Sequence, residues 1–184
     1  MYLRAPARGD FQAWARVRDC SRAFLEPWEP VWAEDDLTRR AYIARIDRFQ
    51  LLVREGLGLA LFLVERSNEQ LLGGITLTNI RRGATQSGTL GYWMGVDFAG
   101  RGFMAEAAGA TIDFAFDLLK LHRIEAASMP ENDRSVRLLK RLGFVPEGLA
   151  RNYIQVNGRR RDHLLFSLLE NDPRQTPSGR ARLT

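Results

Sequence analysis

The sequence predicts one α/β (α+β) domain built on a mixed, mostly antiparallel sheet flanked by helices, and three observations carry that expectation. Short apolar runs bounded by glycine and charge alternate with longer stretches whose apolar residues recur every three to four positions. Pairs of strand signals joined by tight turns stand early and late in the chain, which makes antiparallel hairpins there. A strand–helix–strand succession in the middle demands a right-handed crossover. The 184 residues, 45% of them hydrophobic, are enough to bury one core and too few for two ordinary domains. A single domain is therefore expected over residues 1–171, followed by a disordered polar tail, 172–184.

Taken in order, Asp10 stands at an N-cap position, and Phe11, Trp14, Val17 and Arg18 share a helical period, so a first helix runs to about residue 24. Pro27 and Pro30 end it in an aromatic loop, 26–32. A second helix spans 36–52. From Gly58 the period changes, and 59–64 is short and apolar, the pattern of a fully buried strand. Residues 71–78 complete a hairpin across Ser67-Asn68-Glu69, and 89–96 is a third strand rich in β-forming side chains. The longest helix, 102–121, presents a broad apolar face. A short strand, 123–128, and a helix after Pro130 with Gly143 as its C-cap come next. The last two strands, 144–156 and 160–169, flank Asn157-Gly158, a strong two-residue hairpin signal.

The formal net charge is +5 and the pI about 10.0, which favours an anionic partner: nucleic acid, a ribonucleoprotein or a phosphorylated cofactor. Nearly all of that charge is arginine, with lysine only at Lys120 and Lys140, and direct nucleic-acid binding is not expected. The first residues lack the apolar run of a signal peptide, and no stretch is long and apolar enough to span a bilayer, so the expected compartment is the cytoplasm. One cysteine, Cys20, excludes an internal disulfide, lacks neighbours at metal-ligand spacing, and is expected to be buried as a small apolar side chain. No metal is expected.

The segment from Asp97 to Met104 holds Gly100-Arg101-Gly102 between a strand and the start of the longest helix. Glycines there let the backbone turn tightly, so that amide N–H groups and the positive end of the helix dipole point at one anion, and a pyrophosphate suits that arrangement. The same glycines also occur as plain turn chemistry. Gly-Lys-Ser/Thr is absent, which excludes a Walker loop, and a third glycine is absent, which excludes a dinucleotide fingerprint.

Read together, Gly100-Arg101-Gly102-Phe103-Met104-Ala105-Glu106-Ala107, Asn132-Asp133-Arg134-Ser135 and Leu142-Gly143-Phe144 resemble the GNAT superfamily of N-acetyltransferases. The element order, the Trp28 to Trp32 loop, Gly91-Tyr92-Trp93 and the stretch from Tyr153 to His163 look like the RimJ/RimL type, ribosomal-protein-alanine N-acetyltransferases. The likeness covers the chain up to about Leu169. It departs at Asp97, where the superfamily motif has Gln or Arg.

The resemblance implies a sheet splayed in its middle and acetyl-CoA as cosubstrate. The backbone around Met94, Gly95 and Val96 would pair with the pantetheine arm. Gly100 and the amides of Arg101, Gly102, Phe103 and Met104 would hold the pyrophosphate. Asn132 would bond the pantetheine, and Ser135, one helical turn on, would sit near the thioester sulfur as general acid. For Ser135 the alternative is a helix-capping serine. A backbone N–H near Val96 would polarise the carbonyl.

The sequence names no base. Glu106 reads as packing or pairing near the cradle, with catalysis the lesser alternative; His163 reads as one half of a polar pair with Asp162, the alternative being to orient a water or contact substrate; and His122 reads as a surface residue compensating a helix dipole. Trp28 and Trp32 either wall an acceptor groove or fill core beneath their loop. Tyr92 and Trp93 point to opposite faces, so at most one faces the groove. The expected reaction is direct attack in a ternary complex by a protein N-terminal α-amine, possible for a monomer or a homodimer. Two alternatives remain. One is a small amine, an aminoglycoside or polyamine, met by the acidic cluster Glu26, Glu29, Glu34, Asp35 and Asp36. The other is a non-catalytic protein that binds RNA or the ribosome through Arg159-Arg160-Arg161 with Arg180 and Arg182. Whether Arg81-Arg82 closes over substrate is left open.

Overall fold

The computed structural model describes residues 1–174. Its strands are β1 (Tyr2–Arg4), β2 (Leu59–Val64), β3 (Leu71–Arg81), β4 (Ser87–Met94), β5 (Arg123–Ser128), β6 (Val145–Val156) and β7 (Arg159–Leu169). They form one sheet in the order β1-β2-β3-β4-β5-β7-β6. Every neighbouring pair is antiparallel except β4 and β5. That parallel pair follows from the crossover helix between them. Its register is short: Ser87, Gly88 and Thr89 pair with Arg123, Ile124 and Glu125, and nothing beyond. β4 continues to Met94 and β5 to Ser128, so the two strands part and open the sheet from its middle to one end.

The helices are α1 (Phe11–Cys20), α2 (Arg22–Leu25), α3 (Arg39–Arg54), α4 (Phe103–Asp113) and α5 (Asp133–Arg141). The main core joins the sheet to α4 and α5 through residues such as Leu77, Ile112, Ile124, Leu139 and Phe166. A second cluster packs α1 and α3 on β2, with the tilted rings of Trp14 and Tyr42 4.9 Å apart. The Tyr42 hydroxyl, inside this apolar cluster, donates to Ala7 O at 2.7 Å. Among the described residues no helix is long and apolar enough to cross a membrane, and no group of three or more His, Cys, Asp or Glu is placed to hold a metal ion.

Several expectations are corrected. The first helix stops at Cys20, because Ser21 turns inward, with its buried hydroxyl accepting the Val96 N–H at 2.9 Å. Asp10 makes no side-chain cap; its carboxylate takes Arg4 at 2.6 and 2.7 Å and the Ala7 N–H at 2.7 Å. Thr38, whose hydroxyl accepts Ala41 N–H, starts α3 three residues later than expected. β4 ends at Met94, and Val96 belongs to a 3₁₀ turn. The expected single long helix is α4 followed by a π turn, Phe114–Leu118. Cys20 is exposed.

Residues 172–174 fold back. Asp172 Oδ2 accepts the Leu169 N–H at 2.9 Å, and Arg174 lies over Phe116 and pairs with Asp113 at 3.3 Å. The remaining tail, with Arg180 and Arg182, lies outside the described residues. The Asn157-Gly158 hairpin has the positive φ angles, 44° and 76°, that a two-residue turn of this class requires.

Candidate active site

The parting of β4 from β5 creates a cleft of about 1090 Å³, with α4's N-terminus on one wall and α5's on the other. At the first wall Gly100 and Gly102 hold φ of +77° and +86°, and a Cβ on either would meet nothing within 4 Å. Both therefore border open space in a backbone conformation that suits glycine. Gly102 caps α4 without a side-chain acceptor, and the first N–H returned into the helix is that of Glu106, to Gly102 O. The amides at the head of α4 thus face the cleft as an anion cradle. Arg101 lies 5.1 Å over the Phe103 ring, at the cradle's rim. Asp97 is exposed and does not line the cleft.

Across the cleft, Asn132 Oδ1 accepts the Ser135 N–H at 3.2 Å and caps α5. That frees the Ser135 hydroxyl from capping, and it meets the Tyr92 hydroxyl at 2.8 Å. Tyr92 comes from β4 and Ser135 from α5, so the two are joined only because the sheet opens between them. Burial pushes the Tyr92 phenol up to about 12, partly offset by the Ser135 bond, and the phenol stays protonated at neutral pH. The native state then keeps this proton up to about pH 12 while the unfolded chain loses it near 10. Between those values the native state binds more protons, so its stability falls as pH rises. Thermal unfolding from pH 9 to 11 is expected to show a steeper loss for the wild type than for Tyr92→Phe; parallel curves would contradict it.

The acceptor side is closed by the loop after α2. Its anchor, missed in the sequence, is Arg18, 5% exposed. It forms a two-pronged ion pair with Glu29 at 2.8 and 2.6 Å and lies 4.2 Å over Trp32 and 5.1 Å from Trp93. The signal was present: Arg18 sits on the same stripe of α1 as Trp14, where an apolar residue belongs. Trp32 gives its Nε1–H to Glu29 Oε2 at 2.8 Å and packs between Arg18 and Arg22, away from the cleft. Of Trp28 and Trp32, only Trp28 lines it, and Tyr92 and Trp93 both border it, where at most one of those two was expected to. The Asn157 N–H donates to Glu29 O at 2.9 Å, docking the β6–β7 turn on the same loop.

The structure gives the other candidate residues their partners. The Val96 N–H is held by Ser21 and the Gly95 N–H by Leu72 O at 2.9 Å, so the Val96 amide is not free to polarise a carbonyl, and neither amide is free for strand addition. The unpaired edge is β4 itself after Thr89, up to Met94. Glu106 is in α4's first turn and does not line the cleft. His122 pairs with Glu170 at 3.0 Å on the surface. Arg81 pairs with Glu125, and Arg82 reaches Leu119 O, both at the closed end of the β4–β5 pair; neither covers the cleft. Asp162 accepts the Asn152 N–H at 2.8 Å, and His163 Nδ1 contacts Arg161 O at 3.0 Å, so the expected Asp162–His163 pair is not formed.

Residues 1–145 match the family model described as an acetyltransferase (GNAT) domain. The chain is a GNAT acetyltransferase. It is 36% identical over 166 residues to the [ribosomal protein uS5]-alanine N-acetyltransferase of Escherichia coli, covering 89% of this chain and 85% of that one. Its fold matches a ribosomal-protein-S5-alanine acetyltransferase from Vibrio fischeri with a TM-score of 0.86 and 31% identity, covering 92% of both chains. It also matches Mycobacterium smegmatis RimJ in complex with CoA-disulfide, with a TM-score of 0.85 and 33% identity, covering 91% of this chain and 80% of the other. In this GNAT acetyltransferase the glycine turn and the Tyr92–Ser135 pair line the same cleft.

Proposed function

We propose that this enzyme transfers the acetyl group of acetyl-CoA to the N-terminal α-amine of a protein of the ribosomal type. The residues fit the cosubstrate. Open space at Gly100 and Gly102 with the amides at the head of α4 suits its pyrophosphate, the unpaired edge of β4 suits the pantetheine arm, and the Asn132 NH₂ group remains for the same arm. Acetyl-CoA supplies an activated acyl group. Ser135, with its hydroxyl oriented by Tyr92, donates a hydrogen bond where the thiolate leaves.

The observation that carries the acceptor class is the state of the acidic cluster. Glu26 pairs with Arg22 at 3.1 Å, Glu29 with Arg18 at 2.6 Å, Asp35 with Arg40 at 3.8 Å and Asp36 with Arg45 at 3.0 Å. Four of the five carboxylates already face arginine, which leaves little field for a polycation. An α-amine, with a pKa of about 8, is neutral for roughly a tenth of the time at pH 7, whereas a lysine-like amine at about 10.4 is almost never so.

Mass spectrometry of the purified enzyme with acetyl-CoA and a panel of N-terminal peptides, spermidine and an aminoglycoside tests this reading. Acetyl gain on peptide α-amines is expected. Gain on polyamine or aminoglycoside alone refutes the acceptor class, and no gain anywhere with tight RNA binding refutes the enzyme. Within the mechanism, Ser135→Ala is expected to lower kcat about tenfold to a hundredfold and to leave acetyl-CoA affinity nearly intact. An unchanged kcat removes Ser135 from the chemistry.

A further inference from the structure

We propose that His163 is the base that takes the proton of the acceptor amine, an assignment that rests on the acetyl-transfer reading above. Among the described residues lining the cleft, the groups able to accept a proton are Glu29, Tyr92, Glu131, Asp133 and His163. Glu29 is held by Arg18 and by Trp32. Tyr92 keeps its proton at neutral pH. Glu131 is paired with Arg161 at 3.2 Å. Asp133 is exposed in the first turn of α5, where the helix dipole favours its anion, and has Arg137 at 3.9 Å. His163 remains.

Its geometry suits the task. The side chain is buried, 5% exposed, yet borders the cleft. Nδ1 stands 3.0 Å from the Arg161 carbonyl oxygen, and a carbonyl only accepts, so Nδ1 carries the hydrogen. The neutral ring then has its lone pair on Nε2, for which no hydrogen-bond partner occurs among the described residues. The Tyr153 ring packs edge-on at 6.0 Å and holds the imidazole plane. The charged and titratable groups on the surrounding elements are Arg159, Arg160, Arg161 and Asp162 on β7, Glu147, Arg151 and Tyr153 on β6, Glu131 before α5, and Asp133, Arg134, Arg137, Lys140 and Arg141 on α5.

The step balances with these groups. As the neutral amine nitrogen bonds the acetyl carbon and the carbon–sulfur bond breaks toward Ser135, Nε2 takes the amine proton. The imidazolium returns one proton to water, and water supplies one to the thiolate.

His163→Asn is the direct test, because the asparagine NH₂ stands where Nδ1–H does and keeps the Arg161 bond. We expect kcat/KM for a peptide acceptor to fall about a hundredfold or more at every pH, and coenzyme A affinity by calorimetry to stay within about twofold. Should this variant fail to bind coenzyme A, His163→Gln replaces it under the same criteria. Nitrogen-15 NMR of the wild type is expected to show His163 with Nδ1 protonated and Nε2 bare, with His122→Gln used to separate the two histidines. A variant with wild-type kcat/KM, or an Nε2–H tautomer in the wild type, overturns the assignment. A wild-type enzyme that acetylates no peptide instead sinks the acceptor reading, and the base with it.

Discussion

Arg18→Met is expected to destabilise the enzyme by about 2–3 kcal/mol and to raise the KM for a peptide acceptor about tenfold or more, with acetyl-CoA affinity unchanged. The Arg18 side chain is 7% exposed, and removing one partner of a buried ion pair costs about 3–5 kcal/mol because the other charge is stranded. Glu29 keeps 22% of its side chain exposed, so water recovers part of that loss. Methionine fills much of the arginine stem's volume, which isolates the charge from the packing. The loop holding Trp28 is tied to α1 by this pair and to the β6–β7 turn through Glu29 O. Losing the pair therefore loosens the acceptor wall while the cradle, on α4, stays in place. Urea denaturation gives the stability change and initial rates give the KM. An unchanged midpoint refutes the anchoring role; a loss of acetyl-CoA affinity of the same size refutes its confinement to the acceptor side.

What the chain disclosed in advance, and what it hid, divides along one physical line. Features set by neighbours in sequence were legible: the buried run of β2, the Asn157-Gly158 turn, the Gly100 to Gly102 turn before α4, and Asn132 three residues before Ser135. Features set by a distant partner were not. The break at Ser21 depends on the Val96 amide 75 residues away, and without that partner the helical period runs on. Asp10 has the composition of a cap, but Arg4 and the Ala7 amide compete for its carboxylate. β1 is three residues long, too short to show a period, and exists because β2 offers an edge. Tyr92 and Ser135 meet because β4 and β5 part after three paired residues; no spacing encodes that. Arg18 is the intermediate case: its place on the apolar stripe of α1 signalled a buried charge, and only the fold identified Glu29 as its partner.

The cradle makes the second large prediction, and one pair of substitutions isolates its electrostatic part. Gly102→Asn and Gly102→Asp are close in size, and asparagine and aspartate are the residues other than glycine that best tolerate the left-handed conformation this position holds, φ +86°. The added side chain enters open space rather than protein, so both variants are expected to fold with similar Tm. They differ by a carboxylate placed beside the site of the pyrophosphate. For two unit charges about 4 Å apart at an effective dielectric near 20, the repulsion is about 4 kcal/mol, and solvent at this exposed rim reduces it to about 2–3 kcal/mol. Acetyl-CoA binding by calorimetry is therefore expected to weaken modestly in Gly102→Asn and about 30-fold to 150-fold further in Gly102→Asp. Raising the salt concentration is expected to narrow that gap, since exposed charges are screened, while leaving the asparagine variant's deficit in place. Equal affinities for the two variants would mean that the anion binds elsewhere than at the head of α4.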